Sequence, residues 1–391
     1  MTEAVILAAA RTPIGRANKG SLVDVDAFEL ARVALGAAIE RSGVATSDID
    51  DLVLAESLQG GGVIGRYTAV TLGLDHVPGL ADNRHCAAGL SAVQIGASGI
   101  LAGMDQLVVA GGTESLSSMP QSLKSIPASA RDYKMWMSAS HPETPDAPAF
   151  DMSITVGENT SRQAGLTRAD LDEFAAKSHA SACESIDNGY FEAEIVPVEV
   201  PDGTGGKFVF TTDEHPRPGT TVESLGGLRA LHPELENPTI TAGNSAGLND
   251  AAAAVVLASS EYAAAHGHTP MARIRSWASV GVTPASTGLA PIDAIPKALA
   301  RAGLSISDID LFEINEAFCS VPVAASRALG IDYDILNVNG SGCSLGHPIA
   351  ATGARMVVTM LHELARRDLT FGVVSMCAGG GMGSALVLER L

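Results

Sequence analysis

The chain has 391 residues, of which 46% are hydrophobic and 18% charged, so it can bury large cores and is not intrinsically disordered. At about 100–200 residues per domain, this length predicts two or three domains. The 25 basic and 44 acidic residues give a net charge of −19, which repels nucleic acid and anionic lipid and admits an anionic small molecule only through a local cluster of donors.

Several classes of segment are not expected. No stretch reaches the roughly 18 consecutive apolar residues of a membrane span. The first residues lack both the basic leader and apolar core of a secretion signal and the Arg-rich character of an import peptide. The five cysteines are scattered and form no CxxC pair, so neither a disulfide framework nor a thiolate zinc site is predicted, and no other metal site is expected. We therefore expect a cytoplasmic protein.

The sequence contains an internal repeat. Residues 41–56 (RSGVATSDIDDLVLAE) and 301–316 (RAGLSISDIDLFEINE) share the word SDID, which begins at Ser47 and again at Ser307, 260 residues later. Each copy predicts the end of an amphipathic helix, a glycine stop, a Ser-Asp turn and an apolar strand.

The similarity continues more loosely beyond these words. In the first half, a helix rich in small residues over Ser91–Met104 precedes a strand that runs into glycines over Asp105–Ser115. The second half has the same order over Ala351–Arg366 and Phe371–Ser384. Strands that alternate with helices indicate an α/β fold, with parallel or mixed sheets covered by helices.

A different segment separates the two copies. Residues 116–151 contain many prolines and little periodicity, which predicts irregular structure. A capping-box pattern at Thr167–Asp170 predicts a helix through Ile186, followed by a strand at Ile195–Val200 and a loop at Pro201–Gly219. We expect this insertion on the surface, over any site between the two copies.

Cys86 is the first candidate for chemistry. It comes directly before a helical pattern, and the amides of a helix N-terminus favour a thiolate, so we expect a lowered pKa and a nucleophile. A small buried cysteine is the competing interpretation. His85 is expected to add little, because neighbouring side chains usually point apart.

His347 is the second candidate. It lies between Gly346 and Pro348, after a glycine-rich loop and near the start of the next predicted helix. This position suits a general base, although a structural histidine would give the same short pattern.

Two further words end predicted strands. Cys377 begins CAGGGMG, in which glycines let backbone amides approach a substrate and face an oxyanion; a tight connection between strands is the alternative. Asn315 begins NEAF at the end of the repeated strand, where a simple polar strand end is the alternative.

A nucleotide-binding pattern is weaker. Gly60–Gly65 (GGGVIG) satisfies GxGxxG, but no acidic residue ends a second strand about twenty positions later. The hypothesis that the protein is a dinucleotide-dependent oxidoreductase therefore rests on this pattern alone.

Together these words, in this order, resemble the thiolase family over nearly the whole chain. The words are ARTPIG at 10–15, NRHC at 83–86, GGTESLS at 111–117, TAGNSAGLND at 241–250, NEAF at 315–318, GHP at 346–348 and CAGGG at 377–381. The resemblance implies a five-layer αβαβα fold made of two similar halves with an inserted loop domain. It implies an N-terminal half of 1–115 with about 247–267, a loop domain of 116–246 and a C-terminal half of 268–391.

The resemblance also implies acyl transfer between coenzyme A thioesters. Cys86 would carry the acyl group, His347 would accept its proton, and Cys377 would be the acid or base at the second substrate. One oxyanion hole would combine Asn315, through a water, with His347. The other would combine the backbone amides of Cys86 and Gly379.

Coenzyme A and acyl-CoA are thus the expected substrates, with no permanently bound cofactor. The resemblance assigns Arg217, Ser245 and Ala246 to coenzyme A binding. Further candidates, each more often a solvated surface charge, are Lys124, Arg131, Lys134 and Arg229.

The sequence departs from the family pattern around the substrate. Ala87 and Ala88 follow the nucleophile where serine or glycine is common, and Ala246 falls where a pantetheine-contacting serine is expected. Thr287 replaces a methionine near the acyl pocket, and Lys124–Phe150 shows no family pattern. We therefore expect retained chemistry with an acyl preference that differs from the acetoacetyl enzymes.

Two alternatives within the resemblance remain. A ketoacyl synthase-like condensing enzyme shares the fold, but the CxGG word at Cys377 favours a thiolase. A thiolase relative of the sterol-carrier type usually has histidine in place of the asparagine of NEAF, so Asn315 argues against that branch. A catalytically silent acyl-CoA-binding homologue is the other. The family forms dimers or dimers of dimers, so a homodimer or homotetramer is expected.

Overall fold

The computed structural model describes residues 2–126 and 132–391. Its strands are β1 (Ala4–Arg11), β2 (Gly15–Arg16), β3 (Asp51–Ala55), β4 (Leu80–Asp82), β5 (Leu107–Ser115), β6 (Ser122–Ser125), β7 (Tyr133–Trp136), β8 (Val198–Pro201), β9 (Lys207–Phe210), β10 (Asn249–Ser259), β11 (Ala272–Gly281), β12 (Leu311–Ile314), β13 (Phe371–Ala378) and β14 (Met382–Arg390). Its α-helices are α1 (Ala27–Ser42), α2 (Ile64–Thr71), α3 (Ala88–Leu101), α4 (Asn159–Ala164), α5 (Arg168–Asp187), α6 (Val222–Gly226), α7 (Ser260–His266), α8 (Ala290–Ala302), α9 (Ser320–Leu329), α10 (Gly342–Leu345) and α11 (Ile349–Arg367).

One long mixed sheet runs through the described part of the molecule. Its strand order is β12-β13-β14-β11-β1-β10-β5-β3-β4, with β2 paired to β10. The two halves meet where β1 and β11 pair antiparallel, with Val5 opposite Arg273. On either side of this junction the order is mirrored, because β3 pairs parallel with β5 as β12 pairs parallel with β13.

Helices cover the sheet in layers. α1 packs on the outer face of the N-terminal half, and α8 and α9 pack on the outer face of the C-terminal half. α3 and α11 lie between the two halves in a common core. Together these give the five layers αβαβα, so the expected fold class is confirmed.

The repeated words form equivalent elements in both halves. α1 ends at Gly43 and α8 ends at Gly303, with φ of 65° and 72°, a left-handed conformation that glycine adopts without strain. A single 3₁₀ turn then leads into β3 in one half and β12 in the other. The predicted order of helix, glycine stop, turn and strand is therefore confirmed.

α3 and α11 cross in direct backbone contact. A β-carbon on Gly89 would lie 2.6 Å from the carbonyl oxygen of Ala350, and one on Gly353 would lie 2.4 Å from the amide nitrogen of Leu90. Only glycine permits this approach. α3 begins at Ala88, three residues before the predicted start, because the small residues after Cys86 continue the helix.

The inserted segment contains more regular structure than the sequence predicts. β6 and β7 form an antiparallel hairpin inside the stretch predicted to be irregular. β8 begins at Val198 rather than Ile195, and it pairs with β9 inside the predicted loop. The prediction for α5 is confirmed, since Thr167 caps it in a reciprocal pair with Asp170.

A buried ion cluster fastens the insertion to β1. Arg11 is fully buried and contacts Glu194 at 2.5 Å and Asp213 at 2.7 Å. Removal of one partner from such a cluster leaves an uncompensated buried charge. Over residues 2–126 and 132–391, no helix has the length and apolar character needed to cross a bilayer.

Candidate active site

A cavity of about 300 Å³ lies at the N-terminal ends of α3 and α11. Cys86 and His347, which come just before these helices, line it together with Cys377 and Gly379 at the end of β13. The cavity therefore brings together four of the five predicted catalytic residues, drawn from both halves of the chain.

The sulfur of Cys86 faces two backbone amides. The N–H groups of Gly379 and of Cys86 itself hydrogen-bond to it and act to lower its pKa. Burial has the larger effect and raises the pKa of Cys86 to about 11. The expected low pKa is therefore wrong: desolvation of the thiolate outweighs the helix end, and the resting residue is a neutral thiol.

Cys377 is the second sulfur in the cavity. It lies near the end of β13 and pairs across the turn with Gly383 of β14. Burial raises its pKa well above the ordinary value, and the proximity of Cys86 raises it further. Both sulfurs thus hold their protons until a base takes them.

His347 is held in one orientation and one tautomer. Its Nδ1 lies 2.6 Å from the hydroxyl oxygen of Thr352, and that hydroxyl donates to the carbonyl of Pro348 at 2.8 Å. The single hydroxyl proton is used in this bond, so Thr352 accepts from Nδ1–H and Nε2 is the nitrogen that carries the lone pair. Burial, followed by the charge of Arg355, lowers the pKa of His347 to about 3, so the resting ring is a neutral base.

Asn315 lies beside this ring. Its Nδ2 is 3.4 Å from His347 Nε2, and its own backbone N–H donates to Ser375 of β13 at 2.9 Å. The side-chain oxygen is buried and has no hydrogen-bond partner among the described residues. Asn315 therefore keeps hydrogen-bonding capacity at the site.

The glycines after Cys377 form the tight turn between β13 and β14. Gly380 and Gly381 have φ of 89° and 83°, which side-chain-bearing residues rarely adopt. A β-carbon on Gly379 would lie 3.7 Å from Ser140 Oγ and 3.8 Å from His85 Cγ. The absent side chain therefore leaves open the space beside Cys86.

The inserted segment supplies one wall of the cavity, in agreement with the expectation that it lies over a site between the two copies, but the sequence did not predict which of its residues form that wall. Met137, Ser140, Phe150 and Met152 all line the cavity. Nothing in their spacing signals this, since the wall depends on how 132–152 folds back over the two halves. His85 also lines the cavity, with a backbone φ of 48°, and the expectation that it adds little to the activation of Cys86 stays a prediction.

The residues assigned to coenzyme A lie at different places. Ala246 lines the cavity, and Ser245 is buried beside it with its hydroxyl donating to the Thr241 carbonyl at 2.6 Å. Arg217 is exposed, and its backbone N–H donates to His179. Of the further cations, Lys124 and Lys134 face each other across the β6–β7 hairpin and Arg229 is exposed, whereas Arg131 lies outside the described residues.

Two other sequence features have structural roles. Thr287 is fully buried and donates to the Pro284 carbonyl at 2.6 Å, outside the lining of the cavity. His266 and His268 have a two-residue spacing that metal sites also use, but both rings stack on Tyr262. No cluster of three potential metal ligands is found within 2–126 and 132–391.

Comparison with known proteins gives a consistent result. The family model for "Thiolase, N-terminal domain" matches residues 4–261, and that for "Thiolase, C-terminal domain" matches residues 268–390. The acetyl-CoA acetyltransferase of Escherichia coli is 42% identical over 411 residues, and the 3-ketoacyl-CoA thiolase of Bacillus subtilis is 39% identical over 409 residues. Each match covers 100% of both chains.

Solved structures agree with these relatives. The acetyl-CoA acetyltransferase of Bacillus anthracis has a TM-score of 0.90 at 37% identity, covering 100% of this chain and 99% of that one. Human mitochondrial 3-ketoacyl-CoA thiolase in complex with CoA has a TM-score of 0.90 at 32% identity, covering 100% and 98%.

Proposed function

Because this chain belongs to the thiolase family, we propose that it transfers acyl groups between coenzyme A thioesters. It cleaves a 3-ketoacyl-CoA with coenzyme A into acetyl-CoA and a shortened acyl-CoA, or condenses two thioesters in reverse. The observation that carries this proposal is the cavity in which Cys86, Cys377 and His347 meet, with two amides directed at the Cys86 sulfur.

The first chemical step is acylation of Cys86. His347 Nε2 takes the thiol proton as the sulfur attacks the 3-keto carbon of the substrate in cleavage, or the thioester carbon in condensation, where the bond to the coenzyme A sulfur breaks. The resting pair is neutral, since burial raises the pKa of Cys86 and lowers that of His347, so proton transfer accompanies attack rather than preceding it. The amides of Cys86 and Gly379 receive the carbonyl oxygen as it gains charge, and each such donor contributes about 3–4 kcal/mol to the barrier reduction.

The second step moves a proton at the α-carbon of acetyl-CoA. In cleavage the bond between C2 and C3 breaks, Cys377 protonates the acetyl-CoA carbanion, and coenzyme A then takes the acyl group from Cys86. In condensation Cys377 removes the proton, and the carbanion attacks the acyl carbon and displaces the Cys86 sulfur. Asn315, through a water, and His347, whose Nε2 in cleavage already carries the Cys86 proton, stabilise the enolate oxygen. This assignment is supported by the place of Cys377 in the same cavity as Cys86.

The wider context follows from the family. Arg217, Ser245 and Ala246 are proposed to contact coenzyme A, although Arg217 lies outside the cavity lining. We propose a cytoplasmic homodimer or homotetramer that acts in lipid metabolism, including fatty acid β-oxidation, with no bound metal or permanent cofactor.

Acylation can be tested directly by intact mass spectrometry after incubation with acetyl-CoA. We expect an acetyl adduct that peptide mapping places on Cys86. The adduct should be lost in Cys86→Ala and retained in the matched control Cys183→Ala, since Cys183 lies on α5 outside the cavity. An unmodified wild-type protein that also shows no thiolysis would leave a non-catalytic acyl-CoA-binding protein.

A further inference from the structure

His85 is a polar group of the cavity that the proposed mechanism does not use. Its backbone is fixed on both sides, since its N–H donates to Asn83 Oδ1 at 2.8 Å and its carbonyl accepts from Ala88 at 3.0 Å. Its φ of 48° is a left-handed conformation that is uncommon outside glycine and is concentrated at functional sites.

The ring of His85 is free to bind a ligand. It is half-buried in the cavity wall, and over 2–126 and 132–391 its nitrogens have no hydrogen-bond partner. Burial, and then the neighbouring His141, lowers the pKa of His85. The ring is therefore neutral at pH 7 and offers one N–H donor and one lone pair.

Ser140 presents the complementary group. His141 Nε2 lies 3.0 Å from the Ala147 carbonyl, to which only an N–H can donate. Its Nδ1 is then a lone pair, and the Ser140 hydroxyl at 2.8 Å donates to it. Ser140 Oγ consequently faces the cavity as an acceptor only.

These two groups flank the open face of Gly379. A β-carbon there would contact both Ser140 Oγ and His85 Cγ within 3.8 Å, and the Gly379 amide points at the Cys86 sulfur. A ligand group between them thus lies within a few atoms of an acyl carbonyl carried by Cys86. Apart from Ser138, the other wall residues of the insertion are apolar, and the lining contains no Lys or Arg within the described chain, so an anionic group has no cationic partner here.

We propose that this cavity selects an acyl group that carries a hydroxyl close to its thioester carbonyl. The hydroxyl donates to Ser140 Oγ and accepts from an N–H of His85, which satisfies both groups at once. An acyl group without the hydroxyl leaves both unpaired in a partly buried wall, which lowers its rate of reaction. This inference rests on the proposed acylation of Cys86 and names the acyl class.

The test compares butyryl-CoA with 3-hydroxybutyryl-CoA, which differ only by the hydroxyl. In each case the bond from the acyl carbon to the coenzyme A sulfur breaks and a bond to the Cys86 sulfur forms. The Cys86 proton passes through His347 to the leaving coenzyme A. The rate of adduct formation is followed by intact mass, and one enantiomer of the hydroxyacyl thioester should react at least about tenfold faster than butyryl-CoA.

Variants identify the groups responsible through the ratio of the two rates. In His85→Leu and in Ser140→Ala this ratio should fall toward one. His85→Asn keeps a hydrogen-bonding group and tolerates positive φ, so it should retain part of the preference. His76→Leu, at an exposed site beside the Thr46 carbonyl, should retain all of it.

Equal rates in the wild type, or a ratio unchanged in both His85→Leu and Ser140→Ala, would overturn the proposed acyl class. Adducts from acetyl-CoA with no hydroxyl preference would leave the proposed function standing. No adduct with any thioester, acetyl-CoA included, would overturn the proposed function and this inference with it.

Discussion

At the scale of single residues, Thr352 determines which nitrogen of His347 carries the proton. Its hydroxyl accepts from Nδ1–H at 2.6 Å while donating to the Pro348 carbonyl. The Nε2 lone pair is what a base at Cys86 requires. We therefore regard Thr352 as a positioning residue for His347.

Replacement of Thr352 by valine keeps the shape of the side chain and removes this bond. We expect kcat for thiolysis to fall about tenfold, with a smaller change in KM, because the ring loses its fixed tautomer and orientation. Thr352→Ser should restore most of kcat. The measurement is steady-state thiolysis of acetoacetyl-CoA across pH 6–9.

A matched control distinguishes this role from a general loss of stability. Thr359 is another buried threonine of α11, and its hydroxyl donates to Glu194 at 3.1 Å, away from His347. Thr359→Val should lower the thermal midpoint with little change in kcat. Equal effects of the two valine variants on kcat would argue against a positioning role for Thr352.

Burial explains why the sequence predicts the wrong direction for the pKa of Cys86. The position before a helix was predictable from the word NRHC and the helical pattern after it. A helix end contributes on the order of 1 kcal/mol, whereas the desolvation of a thiolate in the wall of this cavity is larger. Burial depends on the inserted segment that closes over the site, and no local pattern encodes it.

At the scale of elements, the crossing of α3 and α11 sets the spacing of the site. Gly89 and Gly353 let the two backbones touch, and the helices begin just after Cys86 and His347. A displacement of one helix relative to the other therefore changes the separation of the sulfur and the imidazole.

Gly353→Ala should separate these helices, since its β-carbon would lie 2.4 Å from the Leu90 amide nitrogen. We expect the free energy of unfolding, measured with urea, to fall by about 1–3 kcal/mol. We also expect kcat to fall. Gly36→Ala in α1 is the control, because there the β-carbon meets only the end of the Leu72 side chain at 3.1 Å and alanine favours the helix. An unchanged kcat in a folded Gly353→Ala protein would contradict this view of the crossing.

Element prediction succeeded where the signals were local. The glycine stops at Gly43 and Gly303 and the capping box at Thr167 have side-chain or φ requirements that can be read from sequence. The hairpin of β6 and β7 was missed because its strands are short and exposed. Short strands without an alternating apolar face give no periodic signal.

At the scale of the whole molecule, buried neutral histidines make stability depend on pH. His179 is buried, and its Nδ1 accepts from the Arg217 amide at 3.3 Å. Burial, followed by the charge of Arg217, lowers its pKa to about 4. As the pH falls, the unfolded chain therefore binds a proton at His179 before the folded chain does. The contribution of the neutral His179 to the free energy of unfolding is thus fully present above pH 6.5 and is lost as the pH falls toward 4.

His179→Gln removes this titration. We expect the free energy of unfolding of the wild type, relative to the variant, to fall by up to about 1.4 kcal/mol per pH unit between pH 6.5 and 4. Urea unfolding at several pH values measures it. Parallel pH dependences of the two proteins would contradict the assignment to His179.

Much of the overall architecture was predictable because the chain repeats itself. The words at Ser47 and Ser307 indicated two similar α/β halves, and the five-layer fold confirms them. The boundaries of the three domains stay a prediction. The placement of about 247–267 in the N-terminal half is consistent with β10, which lies between β1 and β5 in the sheet. The shape of the cavity was not predictable, since it depends on contacts between residues far apart in sequence.

The mirrored halves have a consequence for how unlike catalytic groups come to face each other. A shift of 260 residues carries Cys86 to Gly346, next to His347, so nucleophile and base lie within one residue of equivalent positions in the two similar halves. Two separate identical chains would have presented the same side chain twice, cysteine against cysteine or histidine against histidine. Two copies joined in one chain can differ at each position, and this lets a proton acceptor face a thiol across the interface of the halves.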